Sequence, residues 1–360
     1  MTITIDELLL APVFGSTQPQ KEQLLLPLLN GLTAWHAAQC ASYARLLAGT
    51  GSETVASRLA DVPWLPVGLF KSHELVSIAP ADVFKTMTSS GTTGQAVSRI
   101  LLDQRTADLQ TRALARIMTS VLGPDRLPML VLDTKSIIRN RTQFAARGAG
   151  VLGMMTFGRG AVWALDEAME LDVGAVEEFL AKHGHAPFLM FGFTFMAWKY
   201  FIMRIAERGL DLSRGILVHS GGWKKLQDEA VDNATFRTRL HELTGLRHIY
   251  NFYGMVEQVG SVFLEGDDGY LYPPVFADVI IRDPETWAEA EVGQPGVIQV
   301  LSALPHSYPG HSILTEDMGV VHSVDANTTG RGGKAFSVLG RAPRAELRGC
   351  SDVHAFAASA

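Results

Sequence analysis

Cys40 and Cys350 are the only thiols in 360 residues. Two cysteines are too few for a disulfide framework, and their separation is not metal-ligand spacing. Long aliphatic runs are missing as well. The most apolar stretch, 186–205, carries Lys199 and Arg204 and is aromatic rather than uniformly aliphatic, so it reads as a buried segment and not as a bilayer span. The N-terminus has Asp6 and Glu7 but no basic stretch ahead of its short apolar run, which argues against a secretory signal and for a cytoplasmic location. Blocks of lysine and arginine are absent too. With 31 basic residues scattered among 37 acidic ones and a formal net charge of -6, the chain lacks the footprint of a nucleic-acid binder. Neither nucleic acid nor membrane is an expected partner. There is no internal repeat, and only the tail 355–360 is biased toward small residues.

The chain is 47% hydrophobic and 19% charged, enough to bury a large core in one unit with subdomains. Residues 1–80 form a helical N-terminal region, with Leu25, Leu28, Leu29, Leu32 and Trp35 at helical spacing. Over 81–260, short apolar runs at 129–132, 187–191, 215–219 and 248–252 alternate with helical stretches at 108–121, 173–182 and 233–244. That alternation predicts an α/β class with mainly parallel pairing, forming a nucleotide- and acyl-binding core. Residues 261–349 carry strand-like runs at 275–281, 296–301 and 319–324 between Gly, Pro and Asp, as in a smaller β-rich subdomain. Residues 350–360 are expected to be a mobile tail bearing Cys350.

The densest chemical signal is Thr88-Ser89-Ser90-Gly91-Thr92-Thr93-Gly94, five hydroxyl residues and two glycines between a strand-like run and an expected helix. Glycines let a backbone turn tightly around an anion, amides point at it, and hydroxyls donate to it or ligate a metal. The Walker pattern is excluded by spacing and by Gln95. Alone, such a cluster is as often a plain turn.

Further blocks lie downstream: Tyr250-Asn251-Phe252-Tyr253-Gly254-Met255-Val256-Glu257-Gln258, then Thr315-Glu316-Asp317-Met318-Gly319, then Leu339-Gly340-Arg341. In this order they resemble the core motifs of the adenylate-forming (acyl-CoA synthetase-like) superfamily. Ser220-Gly221-Gly222-Trp223-Lys224 and Arg344 to Cys350 narrow the resemblance to the acyl-protein synthetase family, the long-chain-fatty-acid ligases of the luminescence fatty acid reductase system. It runs from about Pro63 to Asp352.

The resemblance implies the large-domain fold of adenylate-forming enzymes, with ATP as co-substrate and Mg2+ as cofactor. Thr88, Ser89, Ser90, Gly91, Thr92, Thr93 and Gly94 would cradle the phosphates. Glu257 and Thr92 would hold magnesium, Tyr253 and Gly254 would meet adenine, and Ser220, Gly221 and Gly222 would form the opposite wall. Asp317 would accept from the ribose hydroxyls, and Arg341 would donate to the same sugar or to the α-phosphate. Two departures stand out: Asp317 follows Glu316 rather than glycine, and the interval to Gly340 is long. Superfamily members usually continue into a mobile domain whose lysine helps adenylation; that domain is expected to be absent, with Lys224 a candidate replacement. Cys350 would take the acyl group as a thioester, with Arg341, Arg344 and Arg348 favouring the thiolate if the fold brings them near.

Each residue also has a plainer reading: a helix-start glutamate, a core tyrosine, a turn aspartate, surface arginine and lysines, an idle cysteine. Cys40 reads as a core thiol. The aromatic cluster Phe188 to Phe201 could wall an acyl tunnel or simply be core. The expected activity is an AMP-forming acid–thiol ligase. It adenylates a carboxylic acid, a fatty acid being the expected one, and passes the acyl group through Cys350 to an acyl-protein reductase. The alternatives are a ligase charging coenzyme A or a carrier protein, and a non-catalytic nucleotide-binding subunit of a reductase complex.

Overall fold

The computed structural model describes residues 3–89, 97–138, 146–206, 208–222, 231–258, 260–326 and 328–342. Helices α1 (Ile5–Leu8), α2 (Gln18–Gln39) and α3 (Ala41–Thr50) open the chain. The Thr17 amide donates to Gln20 Oε1 at 2.9 Å and Pro19 sits in the first turn, which together set where α2 begins. Its buried side Leu25, Leu29, Leu32, Thr33 and His36 recurs at three and four residues. Full burial of Leu25 and Leu29 stabilises by roughly 1.5–3 kcal/mol each.

Next come strand β1 (Leu65–Pro66), helix α4 (Leu69–Ser72) and the hairpin β2 (Lys85–Thr88) and β3 (Arg99–Leu102). The hairpin is a sheet of its own. Helix α5 (Gln104–Leu122) starts on Asp103, whose carboxylate accepts from the Thr106 amide at 2.7 Å. The α/β core comprises β4 (Leu127–Thr134), α6 (Ala146–Met154), β5 (Gly158–Leu165), α7 (Val173–His183) and β6 (Phe188–Phe193). Helix α8 (Thr194–Met196) passes through a π-helical turn (Ala197–Ile202) into α9 (Met203–Ile205), and β7 (Gly215–Ser220), α10 (Asn233–Thr244) and β8 (His248–Tyr253) complete the parallel part. Strands β9 (Phe263–Glu265), β10 (Leu271–Tyr272), β11 (Ala277–Arg282), β12 (Gly296–Ser302), β13 (Ser312–Val324) and β14 (Lys334–Arg341) run antiparallel.

One twelve-stranded sheet carries both parts, in the order β11-β12-β13-β14-β10-β9-β8-β7-β6-β4-β5, with β1 parallel to β13. The class is α/β, as the alternation of apolar runs and helical stretches implies. After β4 the chain moves outward to β5, and after β6 it moves the other way to β7. Such a reversal opens a crevice at the carboxyl ends of β4 and β6, the usual place for a ligand in an open α/β sheet. Helix α6 packs on one face through Val151 and Met154, while Val176 and Phe179 of α7 and Phe236 and Leu240 of α10 cover the other. No helix among the described residues is long and apolar enough to cross a membrane.

Candidate active site

At the carboxyl end of β8 the chain turns at Gly254 into a short 3-10 turn (Val256–Gln258). A side chain on Gly254 would press against Val262, its Cβ 3.0 Å from Cγ1, so a residue without one suits the turn. Gln258 fixes that turn from below, donating to the carbonyls of Val300 at 3.2 Å and Gly310 at 3.1 Å. Glu257 is thereby held with 6% of its surface exposed, and none of the ion pairs among the described residues involves it. No group of three or more His, Cys, Asp or Glu among the described residues is placed to hold a metal. One carboxylate nevertheless fits magnesium, which takes one or two protein carboxylates and completes its shell with phosphate oxygens and water.

Three residues from separate sequence blocks meet beside this turn. The Tyr253 hydroxyl donates to Asp317 Oδ2 at 2.7 Å, and Arg341 Nε lies 3.9 Å from Asp317 Oδ1. Burial, with the Asp317 carboxylate beside it, holds the Tyr253 phenol well above its ordinary pKa. Asp317 and Arg341 are opposite each other in the β13–β14 ladder, which explains how two residues distant in sequence come together. Arg341 is largely exposed and also donates to Glu316 Oε2 at 3.2 Å.

Across the sheet, Ser220 ends β7 and its hydroxyl donates to the Phe252 carbonyl at 2.9 Å, joining β7 to β8 just before Tyr253. Gly221 has φ +83° and a Cβ there would lie 3.2 Å from the Phe193 ring, so glycine meets both the conformation and the space. Among the described residues, nothing lies within 4 Å of a Cβ placed on Gly222. The Ser220–Gly222 turn and the Tyr253–Asp317–Arg341 group therefore share the carboxyl edge.

The hydroxyl-rich segment sits differently from its sequence reading. Thr88 is the last residue of β2, paired with Arg99, and Ser89 closes the hairpin by accepting from the Ser98 amide at 2.9 Å. The segment leads into strand β3, and the next helix starts only at Gln104. The expectation of a helix start next to the segment is corrected accordingly. Ser90, Gly91, Thr92, Thr93, Gly94, Lys224 and Cys350 lie outside the described residues, as do Arg344 and Arg348.

The structure also brings forward residues to which the sequence reading gave no role. Asn251 Oδ1 is buried without a hydrogen-bond partner among the described residues, one residue before Phe252 and in register with His219. Its signal was already there, since Asn251 lies inside the Tyr250–Gln258 block. His219 bonds Thr194 Oγ1 through Nδ1 at 3.0 Å and leans on Phe236, and burial depresses its pKa to about 3. At the end of β4, Asp133 is buried against Arg147 of α6. No spacing rule would have paired those two. Among the aromatics, Phe188, Phe191 and Phe201 are core, whereas Phe193 is partly buried and reaches the edge.

The model of the family described as Acyl-protein synthetase, LuxE matches residues 3–357. This chain belongs to that family. A curated family member, the long-chain-fatty-acid–luciferin-component ligase of Vibrio harveyi, is 24% identical over 96% of this chain and 92% of its own length. The protein of the same description from Aliivibrio fischeri is 23% identical over 73% and 70%. Among solved structures, an open conformation of 2-hydroxyisobutyryl-CoA ligase covers 91% of this chain and 76% of its own, with a TM-score of 0.65 at 16% identity. That likeness establishes the adenylate-forming fold. Family membership makes the chain an AMP-forming acid–thiol ligase and sets aside the reading as a non-catalytic subunit.

Proposed function

We propose that this acyl-protein synthetase activates a fatty acid with ATP as the acyl-adenylate and then carries the acyl group on Cys350 as a thioester for a reductase partner, in the cytoplasm. The observation that carries the nucleotide part is the Tyr253–Asp317–Arg341 group facing the Ser220–Gly222 turn. A carboxylate resists acyl transfer because oxide is a poor leaving group; converting it to a mixed anhydride with AMP removes that obstacle. Asp317, steadied by Tyr253, keeps Oδ1 available to ribose hydroxyls, and Arg341 is near enough to share that role. Asn251 Oδ1, a buried acceptor without a partner among the described residues, suits an exocyclic amine of the base. Magnesium held by Glu257 would offset the charge that gathers on departing pyrophosphate. The fatty acid is supported by the names of the relatives, and the choice of Cys350 by the resemblance of the segment Arg344 to Cys350 to the family and by the nucleophilicity of a thiolate.

Intact-mass measurement after incubation with magnesium-ATP and a mixture of carboxylic acids tests this directly. The expected result is a hydroxylamine-labile fatty-acyl adduct on the wild type and none on Cys350→Ser. Pyrophosphate release without an adduct would transfer the acceptor role to coenzyme A, a carrier protein or another partner thiol.

A further inference from the structure

Adenylation brings two anions together. A carboxylate oxygen forms a bond to the α-phosphorus while the bond from that phosphorus to the bridging oxygen of pyrophosphate breaks; the electron pair leaves with pyrophosphate and no proton moves. A cation at the meeting point would offset the repulsion. Arg341 is a weak candidate, exposed and already shared between Glu316 and Asp317.

We propose that Arg147, held by the buried carboxylate of Asp133, is the cation that receives the anionic reacting centre, the acid's carboxylate or the α-phosphate it attacks. The inference rests on the adenylation reading above. Asp133 is the next-to-last residue of β4 and its side chain is 1% exposed. Arg147 Nη2 donates to Asp133 Oδ1 at 3.3 Å, and Nε approaches Oδ2 at 3.1 Å as an ion pair without hydrogen-bond alignment. Two nitrogens thus meet two oxygens and fix the guanidinium plane. Among the described residues the third nitrogen, Nη1, meets the Met196 sulfur at 3.9 Å, a weak acceptor, and 24% of the side chain is exposed.

Position gives the pair its meaning. Val131 pairs with Phe191, Phe193 with Ser220, and Ser220 with Phe252. The pairs put Phe193, Ser220 and Phe252 in a row on one face at the carboxyl ends of β6, β7 and β8, and Asp133, which lies in the β4 bulge between Val131 and Thr134, joins that side through Arg147 of the helix packed over Phe193. Neighbouring strands lie about 4.8 Å apart, which places Asp133 on the order of 10 Å from the Ser220 turn. With Asp133, the row crosses the crevice between β4 and β6 where the strand order reverses. Helix α6 is drawn onto this edge by two glycines: a Cβ on Gly148 would lie 2.8 Å from the Ile137 carbonyl, and one on Gly150 would lie 3.2 Å from the Phe193 ring. Arg147 precedes Gly150 by one turn and so stands at the rim above Phe193. A buried ion pair adds little stability over an apolar pair of the same volume, which leaves a functional reason for keeping a guanidinium here.

The test is acid-dependent ATP–pyrophosphate exchange with hexanoic, decanoic and tetradecanoic acids, comparing wild type, Arg147→Gln, Asp133→Asn and the double variant. The double variant leaves no unpaired buried charge, so it guards against loss by misfolding. Exchange is expected to fall about a hundredfold in Arg147→Gln and in the double variant, the usual cost of removing one charge-stabilising donor. Asp133→Asn, which keeps the cation but loosens it, should fall less. A fall confined to the KM for the acid assigns the carboxylate as the anion held, and one confined to kcat assigns the α-phosphate; both support the proposal. Exchange within threefold of wild type in a double variant that melts normally would overturn it. Wild type inactive with every acid would instead remove the adenylation reading itself, and this inference with it.

Discussion

The two halves of the sheet bury different kinds of residue. In the parallel half, β4, β6 and β7 are nearly continuous aliphatic and aromatic runs whose polar members, Asp133, Thr134, His219 and Ser220, gather at the carboxyl ends. In the antiparallel half, Asp278, Arg282, Gln299, Ser312, Thr315 and Lys334 are buried within the strands. They are satisfied by one another and by the N-terminal region: Lys21 donates to the Pro273 carbonyl, Lys334 to the Val279 carbonyl, Arg282 to Gln299 and to the Ala60 carbonyl. One half gathers its polar groups at the carboxyl ends of its strands, and the other uses buried polar groups along its strands to hold the N-terminal region in place.

The contrast predicts different responses to substitution. The largest expected effect is a broken ion pair: Arg237→Ala strips the cation from Glu265, to which it donates at 2.9 Å, and should cost about 3–5 kcal/mol by denaturant titration. Glu265→Gln in that background should recover part of the loss. In the parallel half, Leu130→Ala should cost about 2–5 kcal/mol with no pH dependence of its own.

Acid should act on both halves alike. His219 and His311 are each buried, and burial lowers each pKa from 6.5 to about 3. Above 6.5 both are neutral folded and unfolded. Between 6.5 and 3 only the unfolded chain takes up the protons, so stability should fall with pH by about 1.4 kcal/mol per unit per histidine. Glutamine at either position should flatten that slope.

The hydrogen bond from Tyr253 to Asp317 crosses from one half to the other. Tyr253→Phe is expected to raise the KM for ATP by up to about tenfold while changing stability by roughly 1 kcal/mol. An unchanged KM would remove Asp317 from the ribose. The smallest effect belongs to Arg58→Ala, whose partner Glu289 is also exposed in part; under about 1 kcal/mol is expected, vanishing in high salt.

The same contrast accounts for how much of the fold is legible in the amino-acid sequence. Parallel strands inside a sheet appear as largely apolar runs, so 129–132, 187–191, 215–219 and 248–252 mark β4, β6, β7 and β8 with bounds within two residues, β4 running two residues further at each end. Strand β14 is invisible as a strand because its buried first residue is Lys334 and its far end is exposed, and β9 and β10 are too short for any periodicity. At the site, Tyr253, Asp317 and Arg341 are recognisable by motif, but their mutual contact comes from ladder register. Asp133 with Arg147 has no local signal, because only the fold of α6 back over β4 unites them.

The hairpin of β2 and β3 pairs with no strand of the large sheet, and its ends are tied to each other through Ser89 and Ser98. Its register is therefore set by its own ladder, from Lys85 with Leu102 to Thr88 with Arg99, and not by the strands of the large sheet. Substitutions on its exposed side, at Lys85 or Arg99, should leave the twelve-stranded sheet in place, which makes this hairpin a part of the fold that can vary with little consequence for the rest.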